Sequence, residues 1–271
     1  MNFEEQFRKK FSVTVRGKNI YFVDVAPNQA VEVPIFLGPG WGETPNTFKD
    51  TIRVLFEAGF RVLCVEHSRQ DLKLITKGNL PHLELQKAET ILQILEAQKV
   101  DAVSLIAHSE GAINCIISAS LRPELFRNMI LVGPCGLMRE ETFIKLVGRF
   151  ILNLLEGVAR AAREPAARVR LLRSAEETAK YFLKNPIMGL LEGGAISHTK
   201  LLVLLEKLYR SGLKAVIIHG SDDWVFPIKG MRDLRNLSYI DFHLVKGDHH
   251  DIYANPKNYL SFFKDSLAKT N

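Results

Sequence analysis

Short apolar runs alternate with helical segments along most of this 271-residue chain, and this alternation limits the fold more than any other feature. Amphipathic helices are predicted from near Thr44–Pro45 and over 83–97 and 112–119. Strands are predicted at 11–15, 20–25, 33–37, 61–65, 102–106, 129–132, 215–218 and 240–245. The alternation predicts an α/β fold, in which helices cover both faces of a mostly parallel sheet and the leading hairpin forms an antiparallel edge.

One long segment interrupts this alternation. Residues 139–213 separate two predicted strands and are rich in Leu, Ala, Arg and Glu, which predicts an all-helical insertion. We therefore expect a core domain of residues 1–138 and 214–271, with a helical cap of residues 139–213 beside its site. Apolar runs within the cap, at 150–155 and 201–205, are expected to contribute mainly to its core and partly to a pocket.

Composition excludes several function classes. The net charge of +6 lies mostly in the cap segment, which has 13 Lys and Arg against eight Asp and Glu. Its basic cluster is interpreted as a solvated helix face, with attraction of an anionic partner as the alternative. No aromatic stacking platform accompanies the cluster, so no nucleic-acid partner is expected. The members are Arg160, Arg163, Arg168, Arg170 and Arg173.

The cysteines and the hydropathy pattern indicate a cytoplasmic protein. Cys64, Cys115 and Cys135 have apolar neighbours and no metal-ligand spacing, so we expect free, buried thiols in a reducing compartment. No apolar run approaches the roughly 20 residues of a transmembrane helix, and the first residues lack the apolar core of a signal peptide. The sequence does not indicate an oligomeric state.

The pentapeptide Ala107–Gly111 lies between a predicted buried strand and a predicted helix. The pattern small-x-Ser-x-Gly at such a junction, where x is any residue, forms a nucleophile elbow. The elbow exposes the serine on a sharp turn. The turn needs small residues where backbones approach closely, and Ala107 and Gly111 meet that need. The elbow also directs the first amides of the following helix at the site. Ser109 is therefore the candidate nucleophile.

Two later strand ends carry a candidate acid and a candidate base. The strand at 215–218 leads into Asp222 and Asp223, and the strand at 240–245 leads into His249 and His250. The carboxyl ends of parallel strands are where open α/β sheets build their sites, so these loops are expected to open beside Ser109. A metal site on 248–251 is disfavoured, because no partner with metal-ligand spacing appears in the sequence.

In this order of serine, aspartate and histidine, the chain resembles the α/β-hydrolase family of serine esterases and lipases over about residues 20–268. The family's acid commonly stands four residues before a proline, which corresponds to Asp223 and Pro227. Its histidine commonly follows a Gly-x pair, which corresponds to Gly247 and His249. The resemblance thus favours Asp223 over Asp222, and His249 over His250.

The resemblance also implies a role for each residue. Ser109 attacks, His249 carries the proton, and Asp223 orients the imidazole. Two backbone N–H groups would stabilise the oxyanion: that of Glu110, and that of Trp41 in the loop containing Gly40. Pro39 stands where the family usually has histidine. His108 is expected to pack beside the site without acting as a base.

We therefore expect a cofactor-free, metal-free serine hydrolase of a small ester, thioester or lactone with an acyl or aromatic group. Alternatives of the same fold are a carbon–carbon bond hydrolase, a cofactor-free oxidoreductase, an acyltransferase or a noncatalytic ligand-binding scaffold. The segment after Val65 lacks the glycines common in the family, so no relative's substrate is transferred to this chain.

Overall fold

A computed structural model describes residues 2–30, 33–67, 76–77, 80–138 and 142–268. The strands are β1 (Phe11–Val15), β2 (Lys18–Val25), β3 (Ile35–Gly38), β4 (Val62–Glu66), β5 (Thr76–Lys77), β6 (Leu80–Pro81), β7 (Val103–His108), β8 (Phe126–Val132), β9 (Ala215–Gly220) and β10 (Ile240–Val245). The helices are α1 (Phe3–Arg8), α2 (Lys49–Glu57), α3 (His82–Ala97), α4 (Gly111–Leu121), α5 (Phe143–Arg163), α6 (Arg168–Lys184), α7 (Pro186–His198), α8 (Leu202–Arg210), α9 (Ile228–Met231), α10 (Asp251–Ala254) and α11 (Lys257–Ala268). Two 3₁₀ turns occupy Pro123–Leu125 and Arg232–Asn236.

Eight strands form one sheet in the order β1-β2-β4-β3-β7-β8-β9-β10. The pairs β1–β2 and β2–β4 are antiparallel, and every other pair in this sheet is parallel. The predicted sheet with an antiparallel edge hairpin is therefore confirmed. Arg16 and Gly17, both with positive φ, make the hairpin turn, as the twist of a two-residue connection requires.

Two apolar clusters cover the two faces of the sheet. On one face, α3, α4 and α8 pack over side chains such as Leu105, Leu131 and Ile217. On the other face, α1, α2 and α11 pack over side chains such as Ile106 and Ile130. All six residues of β7 are buried, which is why this strand is an almost continuous apolar run. The sheet therefore holds the elbow at its centre.

The segment between β8 and β9 is helical, as expected. Helices α5, α6 and α7 pack against one another over the sheet's carboxyl edge. Helix α8 packs instead against α4, and its Leu205 and Leu208 belong to the core cluster. The division into a core and a cap of residues 139–213 stays a prediction.

The helix predicted from Thr44–Pro45 begins later, at Lys49. The Thr44 hydroxyl accepts from the Asn46 N–H at 3.2 Å and donates to Glu177 of α6 at 2.9 Å. A side chain that hydrogen-bonds to the nearby backbone in this way stabilises a turn at the expense of a helix. Residues 41–48 thus form a turn that contacts α6.

Within the described residues, no single helix is both long and apolar enough to cross a membrane, although the bent pair α7 and α8 passes that test of length and composition together.

Candidate active site

Ser109 stands at the sharp turn between β7 and α4. Its φ is +52°, which is a left-handed backbone conformation. This conformation costs free energy in any residue that has a side chain, and it is common at functional turns. The Ser109 N–H donates to the Val132 carbonyl at 3.0 Å, and the Cys135 N–H donates to the Ser109 carbonyl at 3.3 Å. These bonds to the end of β8 hold the strained residue in place.

Two glycines allow other backbone segments to approach the turn. A Cβ on Gly111 would lie 2.6 Å from the Pro39 carbonyl oxygen, and one on Gly40 would lie 2.8 Å from Ser109 Cβ. No side chain fits at such distances. Ala107 is buried in β7 opposite Gly38, so its methyl group is accommodated. The loop after β3 therefore lies directly against Ser109.

Asp223 and His249 form a buried pair at the ends of β9 and β10. His249 Nδ1–H donates to Asp223 Oδ2 at 2.8 Å, and the other carboxylate oxygen accepts the Phe226 N–H at 2.9 Å. Burial opposes the charged imidazole, but the charge and hydrogen bond of Asp223 outweigh it and raise the pKa of His249. Burial likewise opposes ionisation of Asp223, yet His249 holds the pKa of this acid below its ordinary value.

The neighbouring residues Asp222 and His250 lie in other environments. Asp222 is exposed and accepts a hydrogen bond from the Ser221 hydroxyl at 3.1 Å. His250 is buried against the cap, where its Nε2 lies 2.8 Å from Asn153 Nδ2, and burial lowers its pKa to about 4. The structure therefore pairs Asp223 with His249, and neither Asp222 nor His250 is part of that pair.

Two residues close to the Ser109 turn lie against His249. The ring of His108, the residue before it, lies 4.5 Å from the His249 ring. Gly133 follows the residue that binds the Ser109 N–H, and a Cβ on it would lie 3.0 Å from His249 Nδ1. The structure describes the side chains of Ser109 and His249, and it contains no hydrogen bond between the Ser109 hydroxyl and the His249 ring. Catalytic hydrogen bonds are often long before substrate binds.

Two backbone N–H groups beside Ser109 have no acceptor among the described residues. They belong to Glu110, which precedes the first turn of α4, and to Trp41, which follows Gly40. The N-terminus of a helix has a partial positive charge, which favours an anion there. The arrangement can therefore accept a negatively charged oxygen next to Ser109.

Glu43 is a site residue that the sequence did not reveal. Its buried carboxylate accepts the Gly40 N–H at 2.5 Å and lies 2.9 Å from His108 Nδ1. On its other side, the His108 ring donates from Nε2 to the His249 carbonyl at 3.0 Å. Both ring nitrogens thus face oxygen acceptors, and His108 links the loop after β3 to the loop of His249. The structure places His108 in packing contact with His249, as expected.

A buried ionic cluster joins the elbow to α3 and α7. Lys87 of α3 forms ion pairs with Glu110 and, at 2.7 Å, with Glu192 of α7. Glu84 lies 4.0 Å from the same ammonium group, and the Tyr181 hydroxyl donates to Glu192 at 2.5 Å. Burial, opposed by Lys87, raises the pKa of Glu110 to about 8 and that of Glu192 to about 7. Glu110, the residue after Ser109, is thus held in place by the ion pair of its own side chain.

The basic cluster of the cap is mostly bound within the protein. Arg160 donates to Asp248 at 2.7 Å and to Asp251 at 2.6 Å, on both sides of the two histidines. Arg173 pairs with Asp50 at 2.7 Å, and Arg170 donates to a carbonyl of α10 at 2.6 Å. The interpretation of these three arginines as a solvated face is therefore wrong, because they bind residues outside 139–213. These bonds join α5 and α6 to α2, α10 and the loop of His249.

Aromatic rings pack around Trp41 in the loop after β3. Trp41 is buried, and its ring lies 4.5 Å from that of Phe150 and 5.3 Å from that of Phe182.

A cavity of about 410 Å³ opens between α5 and the loops of Asp223 and His249, lined by Leu152, Asn153, Glu156, Asp222, Trp224 and Asp248.

The described part of the chain contains no group of three or more His, Cys, Asp or Glu arranged to hold a metal ion. The three cysteines are free and buried. Residues 68–75, which include most of the unusual segment after Val65, lie outside the described residues.

Solved structures of esterases and related enzymes share this fold. A carboxylesterase of the thaumarchaeon Nitrososphaera gargenis is 17% identical, with 96% of this chain and 98% of that chain covered and a TM-score of 0.70. A thermophilic esterase of Thermogutta terrifontis is 16% identical, with coverages of 97% and 99% and a TM-score of 0.68. A bromoperoxidase of Bacillus anthracis is 17% identical, with coverages of 96% and 100% and a TM-score of 0.72.

No family model and no curated protein matches the sequence. The strand order, the strained serine after β7 and the structural likeness together identify the chain as an α/β-hydrolase fold protein. This fold is shared by enzymes of several chemistries, so the reaction has to be argued from the site.

Proposed function

We propose that the protein is a serine hydrolase that cleaves a small carboxylic ester, thioester or lactone through an acyl-enzyme. The observation that carries this proposal is the buried pair of Asp223 and His249 at the strand ends beside a strained serine. A serine hydroxyl becomes a nucleophile only when a base takes its proton, and the base needs a carboxylate to orient it. All three groups lie at one edge of the sheet.

Each residue then has a defined task. Ser109 Oγ attacks the carbonyl carbon while His249 Nε2 takes its proton, and the imidazolium later gives that proton to the leaving group. Asp223 keeps the Nδ1 proton on the ring and stabilises the cation. The N–H groups of Glu110 and Trp41, which lack protein acceptors among the described residues, stabilise the oxyanion. Water then hydrolyses the acyl-enzyme by the same steps.

The surroundings favour a substrate with an acyl or aromatic group. Trp41 combines a candidate oxyanion donor with an aromatic ring that packs against Phe150 and Phe182. Such a cluster of rings stabilises an apolar group placed beside the reacting carbonyl. Two structural neighbours are a carboxylesterase and an esterase, which supports an ester as the substrate.

A panel of 4-nitrophenyl esters from acetate to decanoate tests this proposal. We expect turnover by the wild type, a burst of nitrophenol when acylation is faster than deacylation, and loss of turnover in Ser109→Ala. Ser120→Ala is a matched control, because Ser120 lies on α4 and its hydroxyl donates only to the Ile116 carbonyl at 2.8 Å. Equal turnover by the wild type and Ser109→Ala would contradict the proposal.

The bromoperoxidase among the neighbours favours a second candidate, a cofactor-free oxidoreductase on the same residues. Bromination of an activated diketone with bromide and hydrogen peroxide measures it. Bromination without ester turnover in the wild type, lost in Ser109→Ala, would favour this second candidate over the first.

A further inference from the structure

Glu43 and His108 form a buried, hydrogen-bonded pair between two segments of the candidate active site. Their side chains are 8% and 0% exposed, and Glu43 Oε2 lies 2.9 Å from His108 Nδ1. Glu43 belongs to the loop after β3, which contains the candidate oxyanion donor Trp41, whereas His108 is the last residue of β7. The reaction proposed above gives this pair no task.

On the side of the loop, Glu43 binds both peptide groups of Gly40. Its carboxylate accepts the Gly40 N–H at 2.5 Å, and its own N–H donates to the Gly40 carbonyl at 3.0 Å. The Gly40 carbonyl shares a planar trans peptide with the Trp41 N–H, so these two groups point in opposite directions. Fixing the carbonyl on Glu43 therefore also fixes the direction of the Trp41 N–H.

The sequence of this loop explains why it depends on Glu43. Pro39 has neither a backbone N–H nor a polar side chain, and Gly40 and Gly42 have no side chains. The indole N–H of Trp41 has no hydrogen-bond partner. Among the described residues, Glu43 thus makes the only side-chain hydrogen bonds that hold the segment 38–43.

On the side of the proposed base, His108 holds the backbone of His249. Its Nε2–H donates to the His249 carbonyl at 3.0 Å, while Asp223 binds the His249 ring at Nδ1. The rings of Phe48 and Tyr253 pack against the His108 ring, with centroids at 5.7 and 6.0 Å. The backbone and the ring of the proposed base are therefore fixed at separate points.

The two hydrogen bonds of the His108 ring need two hydrogens. The acceptors are a carboxylate oxygen of Glu43 and a backbone carbonyl, and neither an ionised carboxylate nor a carbonyl donates. The ring and Glu43 together therefore carry one hydrogen more than a neutral imidazole beside an ionised carboxylate, which makes the pair neutral as a whole. A neutral, bonded pair can be buried, whereas removing one partner leaves the other unsatisfied.

We propose that Glu43 and His108 are positioning residues that hold the oxyanion loop and the proposed base in one fixed arrangement. This role rests on the proposed serine hydrolase, because it is a part in that reaction. A change in either residue displaces two groups together, the Trp41 N–H and the His249 imidazole. A displacement of about 1 Å in a site costs about 100-fold in rate, so the pair acts on kcat through groups that contact the substrate.

Steady-state kinetics with a 4-nitrophenyl ester test the proposal on the full chain. We expect Glu43→Gln and His108→Gln each to lower kcat about 10- to 100-fold while KM stays within about twofold. A glutamine amide still hydrogen-bonds to one neighbour, so it disturbs the fold less than an apolar residue does. Because the pair acts as one unit, the double variant should lose about as much as the more damaging single variant.

Glu177→Gln is the matched control. Glu177 of α6 accepts the Thr44 hydroxyl at 2.9 Å, so it binds the same turn as Glu43, and among the described residues it has no hydrogen bond to Gly40 or His108. This variant should leave kcat and KM unchanged. Circular dichroism and the thermal midpoint check that every variant is folded, which separates a general loosening of the turn from the effect of the pair.

Amide hydrogen exchange at Gly40 measures the pair without any substrate. In protein labelled with ¹⁵N-glycine, the Gly40 signal is assigned by its absence in Gly40→Ala. We expect the Gly40 N–H to exchange at least about tenfold faster in His108→Gln than in the wild type, because its acceptor carboxylate loses the His108 ring. Gly212, whose N–H donates to the Tyr209 carbonyl at 2.9 Å, is the internal reference and should not change.

Two results would overturn the proposal. The first is an unchanged kcat in the folded single variants, or losses that multiply in the double variant. The second is an unchanged exchange rate of Gly40 in His108→Gln. A wild type without ester turnover would instead overturn the proposed hydrolase, and the exchange rate of Gly40 would still decide whether His108 holds the loop through Glu43.

Discussion

Replacing Lys87 by methionine should destabilise the protein by an amount that grows with pH. Lys87 is buried, and it is the cation in ion pairs with the buried carboxylates of Glu110 and Glu192. Methionine fills a similar volume but removes the charge. Removing one partner of a buried ion pair costs about 3–5 kcal/mol, because a buried charge is left uncompensated.

The direction of the pH effect follows from the two carboxyl groups. Burial, opposed by Lys87, raises the pKa of Glu110 to about 8 and that of Glu192 to about 7. The folded state therefore holds protons that the unfolded chain releases near pH 4.3, so stability falls as pH rises toward the folded pKa values. Without Lys87 both pKa values rise further, so the variant continues to lose stability above pH 8.

Guanidinium unfolding at pH 6 and pH 9 measures this difference. We expect Lys87→Met to cost about 3–5 kcal/mol at pH 9 and clearly less at pH 6, where the carboxyl groups are protonated. The matched control is Lys180→Met, since Lys180 forms an exposed pair with Glu176 on α6, and it should not measurably change the unfolding midpoint. A cost that is absent, or that shrinks as pH rises, would refute the reasoning.

Three further predictions concern the reaction. Gly40→Ala places a Cβ 2.8 Å from the Cβ of the nucleophile, so ester kcat should fall about 100-fold; Gly194→Ala, which meets no atom within 4 Å, should leave kcat unchanged. Asp223→Asn should lower kcat on the order of 10⁴-fold, as the same replacement does in a serine protease, while exposed Asp222→Asn should not; the reverse result would reassign the acid. Since Asp223 raises the pKa of His249 despite its burial, ester kcat/KM should fall on acidification with an apparent pKa above about 6.5, and a midpoint below that value would contradict the pairing.

The parts of the site that short motifs define could be predicted from the sequence. The elbow is a local device, because a strand, a strained serine and a helix follow one another within a few residues. The acid and histidine loops are also local, each being a polar run at the end of an apolar strand. The parallel sheet then brings these separate loops to one edge. The choice of Asp223 over Asp222 and of His249 over His250 came from the family resemblance, and the structure pairs the two residues chosen.

The contacts that α5, α6 and α7 make with the rest of the protein could not be predicted in this way. Lys87 of α3 looks like any helix-surface lysine in the sequence, and its partner Glu192 lies far along the chain on α7. Arg160 belongs to a run of arginines with the pattern of a solvated face, yet it binds Asp248 and Asp251 beside the histidine loop. Such pairs depend on how α5 and α7 lie against the rest of the protein, which the periodicity of apolar residues does not encode.

The position of α2 shows a different limit. Thr44–Pro45 has the composition of a helix start. The Thr44 side chain instead hydrogen-bonds within a turn, and the helix begins at Lys49. Glu43 was missed for a related reason, because an acidic residue in a turn has no distinguishing pattern. Its function depends on Gly40 and His108, which the fold brings to it.

Covalent labelling with a fluorophosphonate tests the central claim most directly, because the probe reacts only with a serine that a neighbouring base activates. The proposal predicts one phosphonyl group per chain, mapped by peptide mass to Ser109, with no labelling of Ser109→Ala and much slower labelling of His249→Ala. Ser120→Ala should label like the wild type. Absence of label from folded wild-type protein, or a label on another residue, would contradict the assignment of Ser109 as the nucleophile.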